Sequence, residues 1–195
     1  MREDGPVAGG VARSVERGNG APLTGDTIQI GIAVDIPEPW GGMLTRRRAA
    51  AGDPLVVQAH VTLLGPTEIP MAALPKVERH LAGVAAGHPP FTLHLRGTGT
   101  FRPVTQVVFV AVAAGISECE LLAGEIRSVP ELHREMRFPY HPHVTVAQDV
   151  APEALDEVYE DLADFSAMFQ VDSFTLFSHS GETRWQPRRD FLLGC

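Results

Sequence analysis

Two tetrads hold the residues best suited to proton transfer in this chain: His60-Val61-Thr62-Leu63 and His143-Val144-Thr145-Val146. Imidazole titrates near neutrality, so one ring can be neutral while another is protonated at the same pH. A neutral ring can take a proton from water, and a protonated ring can deliver one to a leaving oxygen. A threonine hydroxyl can donate to an oxygen on which charge builds in a transition state. The set suits a phosphodiester, with the imidazoles acting on water and leaving oxygen and Thr62 and Thr145 on the non-bridging oxygens. A lone His-x-Thr is weak, since Thr favours strands anyway. Two matched copies with apolar residues in between are much stronger.

The chemistry requires each tetrad to lie on a strand, because side chains at i and i+2 then leave the same face. His60 and Thr62 point one way while Val61 and Leu63 enter the core, and the second tetrad repeats this. The surrounding sequence supplies such strands. Isoleucine and valine alternate over 28–36, and Pro37-Glu38-Pro39-Trp40-Gly41-Gly42 breaks the run. A short helix is expected over 46–51, with Arg46-Arg47-Arg48 on its exposed face. A strand follows over 55–64, stopped by Gly65-Pro66. Met71, Leu74, Val77, Leu81 and Val84 mark a helix over 70–86. Strands are expected over 91–95 and 106–113, a helix over 116–129, a short strand over 143–147 and a helix over 152–165. Strands over 169–178 and 184–193 close the chain. Elements alternate in both halves, and each half carries one His-x-Thr strand, so the pattern predicts an α+β fold with a pseudo-repeat.

Composition bounds the partners. The chain has 195 residues, enough for one domain with a buried core. Its first 25 residues hold six glycines and scattered charge, which predicts a disordered tail over 1–25 and order over 26–195. The net charge of −8 argues against coating long duplex nucleic acid by bulk electrostatics. Cys119 and Cys195 form no CxxC pattern and cannot build a disulfide framework, which predicts a cytoplasmic protein. The tail lacks the apolar stretch of a signal peptide, and no run of 18 apolar residues predicts a membrane span. No H-E-x-x-H or cysteine cluster points to a metal, so neither metal nor cofactor is expected.

With these residues in view, the sequence resembles the 2H phosphoesterase superfamily, in particular its bacterial 2'-5' RNA ligase and RNA 2',3'-cyclic phosphodiesterase-like members. Two His-x-Thr/Ser-x motifs define that superfamily. Here they stand at 60–63 and 143–146, with Pro142 ahead of the second. The resemblance implies a bilobal fold of two antiparallel sheets flanked by helices, with a central groove. It implies metal-independent hydrolysis of 2',3'-cyclic phosphates or 2'-5' linkages at RNA ends or in small nucleotides, with ATP-free 2'-5' ligation as the reverse reaction. By the same analogy His60 is the general acid, His143 the general base and the product a 2'-phosphomonoester. A monomer is the family default. The acidic balance of this chain favours a short or small-molecule substrate.

Other residues are weaker candidates. His141 could share the face of His143. Phe101, Tyr140 and Trp185 could stack on a base, though core packing is the commoner role of such aromatics. Arg102, Arg184 and Arg188 could reach a phosphate. The competing function is a non-catalytic protein that captures a nucleotide or RNA end on the same fold.

Overall fold

The computed structural model describes residues 26–53, 57–179 and 185–194. The tail expected over 1–25, the start of the second expected strand and Arg184 lie outside the described residues. Alternating Ile28, Ile30, Ile32 and Val34 give β1 (Thr27–Asp35) one buried face. Helix α1 (Trp40–Ala50) follows, then β2 (His60–Pro70), a 3₁₀ turn (Met71–Ala73) and α2 (Leu74–Gly87). Next come β3 (Phe91–Thr100), β4 (Val107–Ala114), α3 (Ile116–Ile126), β5 (His143–Gln148) and α4 (Pro152–Asp161). The chain closes with β6 (Ser166–Val171), β7 (Ser173–His179) and β8 (Gln186–Leu192).

The strands form two four-stranded antiparallel sheets, ordered β2-β1-β7-β8 and β5-β4-β3-β6. The α+β class is thus as expected, and the pseudo-repeat has a concrete form. In each sheet the His-x-Thr strand is an outer strand, paired with the strand that precedes it through one helix: β1-α1-β2 in one, β4-α3-β5 in the other. One apolar cluster runs through both halves. It takes Val77, Leu81 and Val84 from α2, Cys119, Leu122 and Ile126 from α3, and Leu155 and Val158 from α4.

Several element boundaries differ from the sequence reading. Helix α1 begins at Trp40 and runs through the two glycines expected to interrupt the chain. Gly41 is required there, because a Cβ would stand 2.2 Å from the Ile36 carbonyl oxygen. Of the arginine triplet only Arg46 is exposed as expected. Arg48 is buried and donates from Nε to Asp53 at 2.7 Å, and Arg47 reaches Asp161 on α4 at 2.7 Å. Strand β2 begins at His60 and continues past Gly65-Pro66, and β3 runs on to Thr100. The stretch 169–178 belongs to two strands in different sheets, with Asp172 the residue between them. Residues 169–171 pair with β3, while 175–179 pair with β1.

Candidate active site

The motif strands present their residues as the two-residue period requires. Val61 and Leu63 are fully buried, as are Val144 and Val146, while His60, Thr62, His143 and Thr145 are half-buried on the other face. That face of the first sheet carries Asp35 opposite His60 and Ala33 opposite Thr62. The same face of the second sheet carries Ala111 opposite His143 and Phe109 opposite Thr145.

The two histidines are held identically. His60 Nδ1 lies 2.7 Å from the main-chain oxygen of Gln58, and His143 Nδ1 lies 2.7 Å from that of His141. A carbonyl only accepts, so each Nδ1 carries the hydrogen and donates it. Nε2, across the ring, then bears the lone pair of the neutral imidazole. Each bond spans two residues, so a backbone turn ahead of the strand sets both tautomer and orientation. On the first side, Thr45 of α1 fixes that turn: its hydroxyl oxygen accepts from the Ala59 amide at 2.9 Å and donates to Gly41 O at 2.8 Å.

The two motif strands touch, and the segment between α3 and β5 ties them. Tyr140 donates its hydroxyl to Thr62 O at 2.9 Å. Arg127 donates to Leu63 O at 2.7 Å, with its guanidinium 4.9 Å from the centre of the Tyr140 ring. Arg134 donates to Glu68 O at 3.0 Å. These side chains occupy the outer edge of β2, which would otherwise offer free carbonyls to another strand.

The surroundings of the two rings are unequal. His143 sits among Phe101, Phe109 and His141, at ring-centre distances of 5.0, 5.2 and 6.2 Å. Phe109 lies over Gly99, where a Cβ would come within 2.4 Å of its ring. Burial makes His143 less basic than a free imidazole, its bond to the His141 carbonyl opposes this, and positive charge on His141 or His60 adds to it. The two imidazoles are therefore within electrostatic reach of one another. His60 is also made less basic by burial. The Gln58 carbonyl opposes this, Arg48 reinforces it, and Asp35 pulls the other way. Asp35 is itself held above the usual carboxylate range, chiefly by burial, against the Thr175 hydrogen bond and His60. The Thr175 hydroxyl lies 3.1 Å from Asp35 Oδ2 and 2.7 Å from Asp190 Oδ1. One hydroxyl proton serves one carboxylate at a time.

Sequence reasoning missed Asp35, Thr175, Asp190, Phe109 and Gly99. Strand parity already placed Asp35 off the core face, but its pairing with His60 depends on the β1–β2 register. The arginines considered for phosphate are engaged elsewhere: Arg102 with Asp156 at 2.7 Å and Arg188 with Glu78 at 2.9 Å. Among the described residues, no group of three or more His, Cys, Asp or Glu is arranged to hold a metal. No described helix is long and apolar enough to cross a membrane.

The family model of the 2'-5' RNA ligase superfamily matches residues 36–183, well over half of the chain. The chain belongs to the 2'-5' RNA ligase superfamily. A "Putative phosphoesterase" of Bacillus cytotoxicus is 29% identical over 141 residues, which cover 71% of this chain and 81% of that protein. Among solved structures, E. coli LigT complexed with NADP+ is 25% identical, with a TM-score of 0.63 over 87% of this chain and 100% of LigT. A Thermus thermophilus protein, TT0787, shares the fold, at 22% identity and a TM-score of 0.61 over 85% of this chain and 98% of that one. This member of the superfamily thus carries its two tetrads on the outer strands described above.

Proposed function

We propose that this chain is a metal-independent phosphodiesterase that opens 2',3'-cyclic phosphates or cleaves 2'-5' linkages in small nucleotides or at RNA ends. The observation that carries the reading is the matched anchoring of His60 and His143, each with Nδ1–H bound to the carbonyl two residues back and a threonine two residues on.

In the proposed reaction, neutral His143 Nε2 takes a proton from water as the water oxygen bonds to phosphorus. The P–O3' bond breaks, and protonated His60 delivers its Nε2 proton to O3'. A 2'-phosphomonoester and a free 3'-hydroxyl result. Thr62 and Thr145 donate to the non-bridging oxygens, where charge is greatest as the bond breaks. Burial makes both rings less basic; Asp35 beside His60 favours the proton there, against Arg48, while positive charge on His141 or His60 disfavours one on His143. The bound phosphate raises the basicity of both rings, so His60 gains its proton with substrate in place. With a sugar 5'-hydroxyl replacing water, the same steps make a 2'-5' linkage, and run backwards, with O3' attacking phosphorus and the 5'-hydroxyl leaving, they cleave one to the 2',3'-cyclic phosphate.

The likeness to LigT, of which structures exist complexed with 3'-AMP and with ATP, supports a nucleotide-sized ligand. The test is turnover of 2',3'-cyclic nucleotides and 2'-5' dinucleotides with EDTA present throughout. Activity that survives EDTA and vanishes in a His60→Ala, His143→Ala double variant supports the reading. Activity lost in EDTA and restored by a divalent ion overturns it. Nucleotide binding with no turnover by the wild-type chain would make it a binding protein.

A further inference from the structure

We infer that Trp185, lying on Gly31, is the platform on which this protein stacks the nucleobase of its substrate. The inference rests on the phosphodiesterase reading for the position of the phosphate, and on the geometry of the first sheet for the rest.

Ile30, Ile32 and Val34 of β1 face the core, so Gly31, Ala33 and Asp35 lie on the face shared with His60 and Thr62. Ala33 pairs with Thr62 on one side and Thr175 on the other; Gly31 pairs with Phe177. A Cβ at residue 31 would stand 3.3 Å from Trp185 Cζ3 and 3.6 Å from its Cη2. The indole therefore lies close over a backbone made bare by glycine. Its ring centre is 5.4 Å from that of His179, which pairs with Gln29 one step further along. Two residues of strand separate Gly31 from Ala33, about 7 Å at the usual rise. Ala33 is next to Thr62. The platform thus stands on the face that carries Thr62, over the residue two before Thr62's partner on β1.

Tyr140 and Phe101, the other aromatics considered for stacking, are committed elsewhere. The Tyr140 hydroxyl is donated to Thr62 O, and Arg127 covers its ring. Phe101 and Phe109 are 4.5 Å apart and both pack on His143. Trp185 is half-exposed. Charge also selects the direction. From Thr62 across the sheet come Ala33, Thr175 and Asp190, with Asp35 beside them, so additional phosphates would meet carboxylates there. Along β1 toward Gly31 the neighbours are Phe177 and Trp185, suited to an uncharged ring. Stacking of this kind tolerates any base, because every base has a π-face.

The test compares nucleoside 2',3'-cyclic phosphates with base-free ribose 2',3'-cyclic phosphate, in the wild type, Trp185→Ala, Trp185→Phe and Gly31→Val. Trp185→Ala should raise KM for the nucleotides roughly 5- to 100-fold and leave the base-free substrate unchanged. Trp185→Phe should retain most of the preference, and Gly31→Val should lose it by displacing the indole. Equal effects on both substrates, or no effect, overturn the platform. If the wild type turns over neither substrate, the phosphodiesterase reading fails by itself. The platform is then judged by calorimetric binding of 3'-AMP: weaker binding to Trp185→Ala supports it, and equal or undetectable binding to both proteins overturns it.

Discussion

Tyr140, three residues ahead of His143, donates its hydroxyl to the main-chain oxygen of Thr62 at 2.9 Å. A residue leading into one motif thereby holds the backbone of the other. The hydroxyl is hard to ionise, because burial pushes its pKa up. Tyr140→Phe keeps the ring under Arg127 but leaves that carbonyl without its donor. The expected loss is about 1 kcal/mol of stability, read as a lower urea midpoint. If catalysis needs the two motifs in register, kcat falls several-fold as well, with Arg127→Ala producing a similar defect.

Removing the proton-transfer groups should separate them by size of effect. His60→Ala and His143→Ala should each lower kcat/KM by roughly 10²–10⁴-fold. The double variant should be little worse than the more damaged single, because the two groups act in one step. Thr62→Val and Thr145→Val each remove one donor to the developing charge, and should cost about 10²-fold. Circular dichroism of each variant should match the wild type, since all four side chains lie off the core face.

Asp35 offers a way to assign the two roles. It pairs with His60 across β1 and β2 and favours a proton on that ring. With His60 as the acid, activity is lost on the alkaline side as it deprotonates. Asp35→Asn should then move the alkaline limb of kcat/KM to lower pH and leave the acidic limb, set by His143, in place. Movement of the acidic limb alone would reverse the roles. The histidines also couple folding to pH. Both are less basic in the folded chain than the free value of 6.5. Above 6.5 both states hold them neutral. As pH falls below that value the unfolded chain takes up protons first, so stability declines with acidification. Urea midpoints between pH 7.5 and 5 measure the decline, and replacing both histidines by glutamine should flatten it.

Gly99 and Phe109 make a steric prediction. The Phe109 ring fills the place of a side chain at residue 99 and supports His143 at 5.2 Å. Gly99→Ala would bring a methyl within 2.4 Å of the ring and force it toward the imidazole. Overpacking of this kind costs about 1–3 kcal/mol. Thermal unfolding should show the loss, and kcat should fall more than KM rises. Phe109→Leu in the same background should recover stability, because the smaller side chain vacates the space.

Local pattern in the sequence was enough to find both tetrads, to put each on a strand and to place His and Thr on one face. Parity along a strand is a property of neighbouring residues, and it needs no knowledge of the partner strand. The α+β class and the repeat of helix and His-x-Thr strand were legible for the same reason. Tertiary structure decided the remainder. Arg48 reads as solvated until Asp53 is folded against it, and Gly41 reads as a helix breaker until the Ile36 carbonyl is seen beneath it. Over 169–178, Phe169, Val171, Phe174 and Leu176 recur at strand-like spacing on both sides of Asp172, so the pattern carries no mark of the change of sheet there. Asp35 beside His60, Phe109 beneath His143 and Trp185 over Gly31 all follow from register and packing between segments far apart in the chain. Those relations are set by which strands pair and where, a choice made by the whole core and not by any stretch of residues within it.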